Sequence, residues 1–343
     1  MYLAYQSFTY PGTIQLESGT VLQQPVLAYH TFGKLNDRKD NVVWICHALT
    51  ANSDVLEWWS GMLGPGKPLD PQRHFIVCAN ILGSCYGSSG PLSLNPATGK
   101  PYYADFPQVT IRDMVKGHQI LRKHLGIDRI HLLAGGSMGG YQVLEWALEE
   151  PERMDHLFLL ATAAAESAWG IAIHTSQRLA IEADSSWRDP SPDAGKNGLK
   201  AARAIGMLTY RNYRTFVDRQ TDPDLLKTDR FKASSYIEYQ GDKLVQRFNA
   251  QSYWLLTKAM DSHNIARGRA SRTEEVLKTI QARSLIIGIT SDILCPVEEQ
   301  RFLAQNMPAS AYYEIDSLYG HDGFLIEFER IGKIFGEWIQ QRK

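Results

Sequence analysis

The chain has 343 residues, enough for one large domain with an insertion or for two domains. Its composition, 44% hydrophobic and 21% charged, is that of a globular protein and excludes a disordered or fibrous one. A formal net charge of −1, with no run of Lys or Arg, gives no surface for nucleic acid or membrane.

The N-terminus, MYLAYQSFTY, lacks a basic stretch followed by an apolar core, so no secretory leader is expected. No apolar run approaches the roughly 20 residues that cross a bilayer. Extended-looking stretches at Thr13–Leu16 and Val26–Thr31 are expected to add antiparallel strands at one edge of a sheet. Six short apolar runs then follow: Val42–Cys46, His74–Ala79, Ile130–Ala134, His156–Ala161, Ser284–Ile289 and Ala311–Ile315. Nearly continuous apolar strands are what a parallel sheet covered on both faces requires. Helical patterns fall at about 111–125, 138–150, 297–306 and 324–341. Strand–helix alternation of this kind predicts an α/β fold with right-handed crossovers.

The alternation breaks between about 165 and 275. Helix-like segments lie there at about 167–184, 198–210, 212–219 and 249–262, interrupted by the polar loop Ser185–Gly198. This reads as a helical cap, residues 165–275, inserted into a core formed by residues 1–164 and 276–343. Cys46, Cys78, Cys85 and Cys295 show neither CxxC pairing nor a His/Cys cluster with ligand spacing. Buried reduced thiols, no metal and a cytoplasmic protein are therefore expected.

The strongest local signal is Gly135-Gly136-Ser137-Met138-Gly139, a G-x-S-x-G between a strand pattern and a helix pattern. That context is the nucleophile elbow of the α/β-hydrolase fold. So sharp a turn strains the serine backbone, and only small neighbours leave room for it. The Oγ then projects at a helix N-terminus, where free amides favour developing negative charge.

The fold predicts the order nucleophile, acid, histidine. Asp292 follows the strand at Ser284–Ile289, and Pro296 marks the next helix start. Asp292 could instead be a turn or cap residue, and Asp316 is its competitor as the acid. Of ten histidines, His321 alone follows the last strand, between Gly320 and Gly323. An oxyanion hole needs two backbone N–H donors. Met138 is the first. Leu49, in the loop His47–Ser53, is the choice for the second, with Ala48 and Thr50 as alternatives.

HALTANS (His47–Ser53), NILGSCYGSSGP (Asn80–Pro91), GGSMGGYQVLEWA (Gly135–Ala147), SDILCPVEEQ (Ser291–Gln300) and GHDGFL (Gly320–Leu325) together resemble the blocks of homoserine O-acetyltransferases. The resemblance runs through essentially the whole chain, including GLKAARAIGMLTYRN (Gly198–Asn212) in the cap. It implies an acyl-CoA co-substrate, acetyl-CoA by the family's name, and no bound cofactor. The acceptor it implies is L-homoserine, in methionine biosynthesis, and the assembly a homodimer built through the cap. It also implies that Ser137, Asp292 and His321 form the triad. Arg203 then matches the arginine that binds the substrate carboxylate, and Asp322 the acid that meets the amino group. Two places depart from the family pattern. Ala51-Asn52 stands where the family often has Gly or Gly-Asp, and Gly83-Ser84 stands where Gly-Gly is usual. Both departures are expected near the acyl pocket.

A triad alone supports hydrolysis equally well, so a serine esterase or thioesterase is the rival reading. Sister transferases using succinyl-CoA, or serine as acceptor, are closer rivals. A non-catalytic binding protein of the same fold is a further alternative. Arg203 and Asp322 discriminate, because a zwitterionic acceptor needs a cation and an anion, and a simple esterase needs neither. The plain alternatives are a surface salt bridge for Arg203 and a helix cap for Asp322.

Overall fold

A computed structural model describes residues 5–341. Met1–Ala4, the start of the stretch read for a leader, lie outside the described residues. The strands are β1 (Gln6–Thr9), β2 (Thr13–Gln15), β3 (Val21–Gln23), β4 (Val26–Phe32), β5 (Val42–Cys46), β6 (Phe75–Ala79), β7 (Ile130–Gly136), β8 (Met154–Leu160), β9 (Arg283–Ile289) and β10 (Ser310–Ile315). The helices are α1 (Val55–Trp59), α2 (Ile111–His124), α3 (Met138–Glu149), α4 (Ala168–Glu182), α5 (Lys196–Tyr210), α6 (Tyr213–Gln220), α7 (Lys232–Val245), α8 (Ala250–Asp261), α9 (Thr273–Leu277), α10 (Val297–Asn306), α11 (Gly323–Ile326) and α12 (Phe328–Gln340).

Eight strands form one sheet in the order β1-β4-β6-β5-β7-β8-β9-β10. From β6 to β10 the neighbours run parallel, while β4 and β1 are antiparallel at one edge. The stretch at Val26 thus becomes an antiparallel strand, second from the edge and covered there by β1. The stretch at Thr13 does not join the sheet: β2 pairs only with β3, as a separate hairpin. Leu16–Thr20, with Gly19 at φ 86°, closes that hairpin, and so short a turn gives Thr13–Gln15 a local partner.

Both faces of the sheet are covered, and β5 shows why its sequence is apolar throughout. Val42, Trp44 and Cys46 enter one core with α2 and α3, whereas Val43 and Ile45 enter another with α12. Each fully buried aliphatic side chain of this kind stabilises by about 1.5–3 kcal/mol. On α12, Ile331, Phe335 and Trp338 recur at helical spacing and seal the second face.

The expected helix over 324–341 is broken at Glu327, whose ψ of 44° ends α11 and starts α12. The break seats the Phe328 ring against Gly61, where a Cβ would come within 2.0 Å of it. Helix α7 escapes a periodicity reading. Its buried residues are only Gly241 and Leu244, and Gly241 packs against the Lys200 backbone of α5.

Helices α4–α8 lie between two chain segments that meet as a neck. There Glu166 N–H donates to His263 O at 2.9 Å, and Ile265 N–H donates to Ala164 O at 3.1 Å. All four cysteines are free; Cys46, Cys78 and Cys295 are buried, and Cys85 is only partly so. Among the described residues, no helix is long and apolar enough to cross a membrane.

Candidate active site

Ser137 sits between the last residue of β7 and the first of α3, at φ 53° and ψ −130°. An L-residue adopts this conformation only when its surroundings enforce it. Here Ser137 N–H donates to Leu160 O, and Thr162 Oγ1 donates to Ser137 O. The turn closes because its neighbours lack side chains. A Cβ on Gly135 would lie 2.4 Å from Gly139 O, and one on Gly139 would lie 2.2 Å from Cys46 O.

The loop after β9 delivers Asp292, and the loop after β10 delivers His321. Ser137 Oγ lies 2.8 Å from His321 Nε2, and His321 Nδ1 lies 2.6 Å from Asp292 Oδ2. Asp292 Oδ1 accepts the amides of Leu294 and Cys295 at 2.8 and 2.9 Å. Asp292 therefore holds its own turn with one oxygen and orients the imidazole with the other. With Nδ1–H donated to the carboxylate, Nε2 is free to accept the serine proton. Burial opposes charge on His321, but Asp292 beside it prevails and raises its pKa above the ordinary 6.5.

Asp292, Cys295 and His321 also lie close enough together to suggest a metal site. The donor set does not fit one. Both oxygens of Asp292 and both nitrogens of His321 are already engaged. Burial also pushes the Cys295 thiol up, away from the thiolate a metal would need.

Ser137 and His321 line a cavity of about 320 Å³ together with Ala48, Leu49, Thr50, Arg203, Tyr210 and Asp322. The N–H groups of Ala48, Leu49 and Thr50 have no acceptor among the described residues. Met138 opens α3, where an amide has no intrahelical acceptor. His47 fixes the Leu49 loop from beneath. Fully buried, it accepts Ile81 N–H at Nε2 and so donates Nδ1–H to Ala48 O. Burial lowers its pKa to about 4, which keeps it neutral for that role. Gln142 adds a bond from its amide nitrogen to His47 O.

Arg203 is half-buried and makes no ion pair among the described residues; its Nε has no partner. Its guanidinium lies 5.5 Å from the Tyr210 ring centre. Tyr210 was missed by the sequence reading, although its spacing of seven from Arg203 puts both on one helix face. Asp322 stands at the start of α11 but its side chain makes no capping bond. Arg211, also missed, pairs with it instead. Glu57 and Trp58 of the short helix α1 complete another wall. Of the two departures from the family pattern, Ala51 and Asn52 line the cavity, whereas Gly83 and Ser84 do not. Gly83 packs against Leu255 and Val109, under α8.

Residues 41–328 match the family model for the alpha/beta hydrolase fold. A homoserine O-acetyltransferase of Cyclobacterium marinum is 50% identical over 318 residues, covering 93% of this chain and 90% of that protein. The chain belongs to the homoserine O-acetyltransferase family. Another member, from Trichormus variabilis, is 46% identical and covers 94% of this chain and 90% of its own length. Among solved structures, homoserine O-acetyltransferase from Bacillus anthracis superposes with a TM-score of 0.91 at 24% identity, covering 99% of both chains. An acetylester hydrolase from Corynebacterium glutamicum follows with 0.87 at 22% identity, covering 98% of this chain and 96% of that one. At such identities these likenesses speak for the fold alone, and the fold serves both a family transferase and a hydrolase.

Proposed function

We propose that the chain transfers an acetyl group from acetyl-CoA to the hydroxyl of L-homoserine, in methionine biosynthesis, through an acyl-serine at Ser137. The observation that carries this reading is the cavity itself. The Ser137–His321–Asp292 relay opens into a space that also holds a cation, Arg203, and an anion, Asp322. A zwitterionic acceptor needs both, because burying either of its charges unpaired is costly.

In the first half-reaction Ser137 Oγ attacks the thioester carbonyl and gives its proton to His321 Nε2. The oxyanion is held by the Met138 and Leu49 amides. Collapse expels the CoA thiolate, which takes the proton from His321. In the second half-reaction the homoserine hydroxyl gives its proton to His321 and attacks the acyl-serine. Ser137 leaves and recovers its proton. The steps draw on no bound cofactor, and acyl-CoA enters as co-substrate. We place the protein in the cytoplasm, where acyl-CoA and free thiols persist.

The test offers the purified protein acetyl-CoA and succinyl-CoA with homoserine, serine and water, following CoA release. Acetyl-CoA with homoserine is expected to be the fastest pair, with parallel lines in double-reciprocal plots. Intersecting lines would remove the acyl-enzyme, and water matching homoserine would favour an esterase.

Arg203→Ala is expected to weaken acceptor transfer by about 2–5 kcal/mol of lost charge pairing. Acylation of Ser137 should persist, so intact-mass measurement should show acyl-enzyme accumulating. Transfer at wild-type kcat/KM would place the carboxylate site elsewhere.

We also infer a homodimer built through the cap. Tyr213, Leu225 and Leu226 there are 81%, 95% and 89% exposed, and Leu208 and Tyr239 are exposed as well. Such apolar surface favours a partner. Sedimentation at micromolar concentration is expected to give the mass of two chains; a monomer would contradict the inference.

A further inference from the structure

The loop that carries His321 is held from the cap side at four points. Gly320, at φ 63°, lies against the end of α5, where a Cβ would come within 2.6 Å of Tyr210 O. Thr215 Oγ1, in α6, donates to Leu318 O. The Arg219 guanidinium lies 5.8 Å from the Tyr319 ring centre. Arg211, which ends α5, donates from Nη1 to Asp322 Oδ2.

Arg211 is itself anchored, because its Nε donates to the Tyr236 hydroxyl of α7 at 3.1 Å. It occupies one oxygen of Asp322. The other, Oδ1, accepts no hydrogen bond among the described residues, and Asp322 lines the cavity. Two arginines thus stand close in the chain with opposite employment. Arg203 makes no ion pair among the described residues and lines the acceptor space, while Arg211 is spent on the acid.

We propose that Arg211 is a positioning residue, holding Asp322 ionised and aimed so that its free oxygen meets the ammonium group of the acceptor. The proposal rests on the homoserine reading above. Burial raises the pKa of Asp322, and Arg211 opposes that rise, followed by His321 and Arg203. Asp292 pushes the other way, and the buried Tyr210 hydroxyl is a further titratable neighbour. Removing Arg211 therefore leaves a mostly buried carboxyl that protonates at higher pH. The sign follows directly. An ionised Asp322 is needed for an ammonium partner, so acceptor use is lost as pH falls through its pKa.

The experiment compares wild type, Arg211→Met, Arg211→Lys and Tyr236→Phe, each checked for folding by circular dichroism and thermal melting. Acyl-enzyme is formed with acetyl-CoA and then released either to homoserine or to water, over a range of pH. Release to water needs His321 but no contact from Asp322; release to homoserine needs both. For Arg211→Met the acid limb with homoserine is expected to move up by about one pH unit or more, the effect of removing one adjacent charge. Near that limb the KM for homoserine should rise roughly tenfold per pH unit of lost ionisation. The water limb should not follow it upward; an Asp322 that loses its charge lowers the His321 pKa and moves that limb only to lower pH. Arg211→Lys should restore most of the loss, and Tyr236→Phe should move the limb in the same direction by less. An unmoved homoserine limb in both Arg211→Met and Tyr236→Phe overturns the proposal. So does an equal fall in release to water and to homoserine, which would mark a general loss of loop order. Wild-type acyl-enzyme that homoserine cannot discharge would instead sink the acceptor reading, so the two failures are distinct.

Discussion

Ser137→Ala is expected to abolish CoA release, with kcat falling on the order of 10⁴- to 10⁶-fold, as for triad members that act as a unit. The fold should survive. What holds residue 137 at φ 53° is its backbone, tied to Leu160 and Thr162, and the hydroxyl takes no part in those bonds. Alanine also removes no apolar packing. The His321–Asp292 pair loses only the partner at Nε2 and keeps its own hydrogen bond. Thermal melting should thus stay close to wild type while acyl-enzyme disappears from the intact-mass spectrum. Activity within tenfold of wild type would remove Ser137 as nucleophile.

Asp292→Asn is expected to lower kcat by roughly 10⁴-fold, because the imidazole is then held in the wrong tautomer. The two amides of Leu294 and Cys295 fix which way the side chain lies. An asparagine would keep its carbonyl oxygen on those amides and turn its NH₂ toward His321 Nδ1. That nitrogen must then accept, so the proton moves to Nε2 and can no longer be taken from Ser137. Asp316 is the control. It is exposed and accepts the Thr290 hydroxyl at 3.1 Å, outside the relay. Asp316→Asn should leave kcat within a few-fold of wild type, as surface changes usually do. A crippled Asp316→Asn beside an active Asp292→Asn would reverse the assignment of the acid.

The central strands could be read from the chain because both sheet faces are buried, which makes β5 and β6 apolar at every position and leaves β7, β8 and β9 polar only toward their N-terminal ends. Helix α10 was equally plain, with Pro296 fixing its start. Ser137, Asp292 and His321 come together as their order along the chain predicts, since parallel topology forces their three loops to the same sheet end. Other features carried no such signal. Helix α7 packs through a glycine rather than an apolar stripe, and α1 spans only five residues. The pairing of Arg211 with Asp322 joins residues 111 apart, and no local pattern announces a contact of that range. Arg203 and Arg211 look alike in sequence; only the packing shows that, among the described residues, Arg211 has an acidic partner and Arg203 has none.

The neck at Ala164–Glu166 and His263–Ile265 makes the insertion a cassette whose two splice points are already hydrogen-bonded to each other. Recombination between relatives could exchange it there without disturbing β8 or β9. The far end of the cassette is a different matter, because it grips residues 318–322, which lie outside the exchanged stretch. A chimera that imports only the cap sets a foreign α5 end against the native Gly320 and a foreign partner against Asp322. We expect productive hybrids to inherit both stretches from one parent, and single-crossover hybrids to fold yet lose the acceptor.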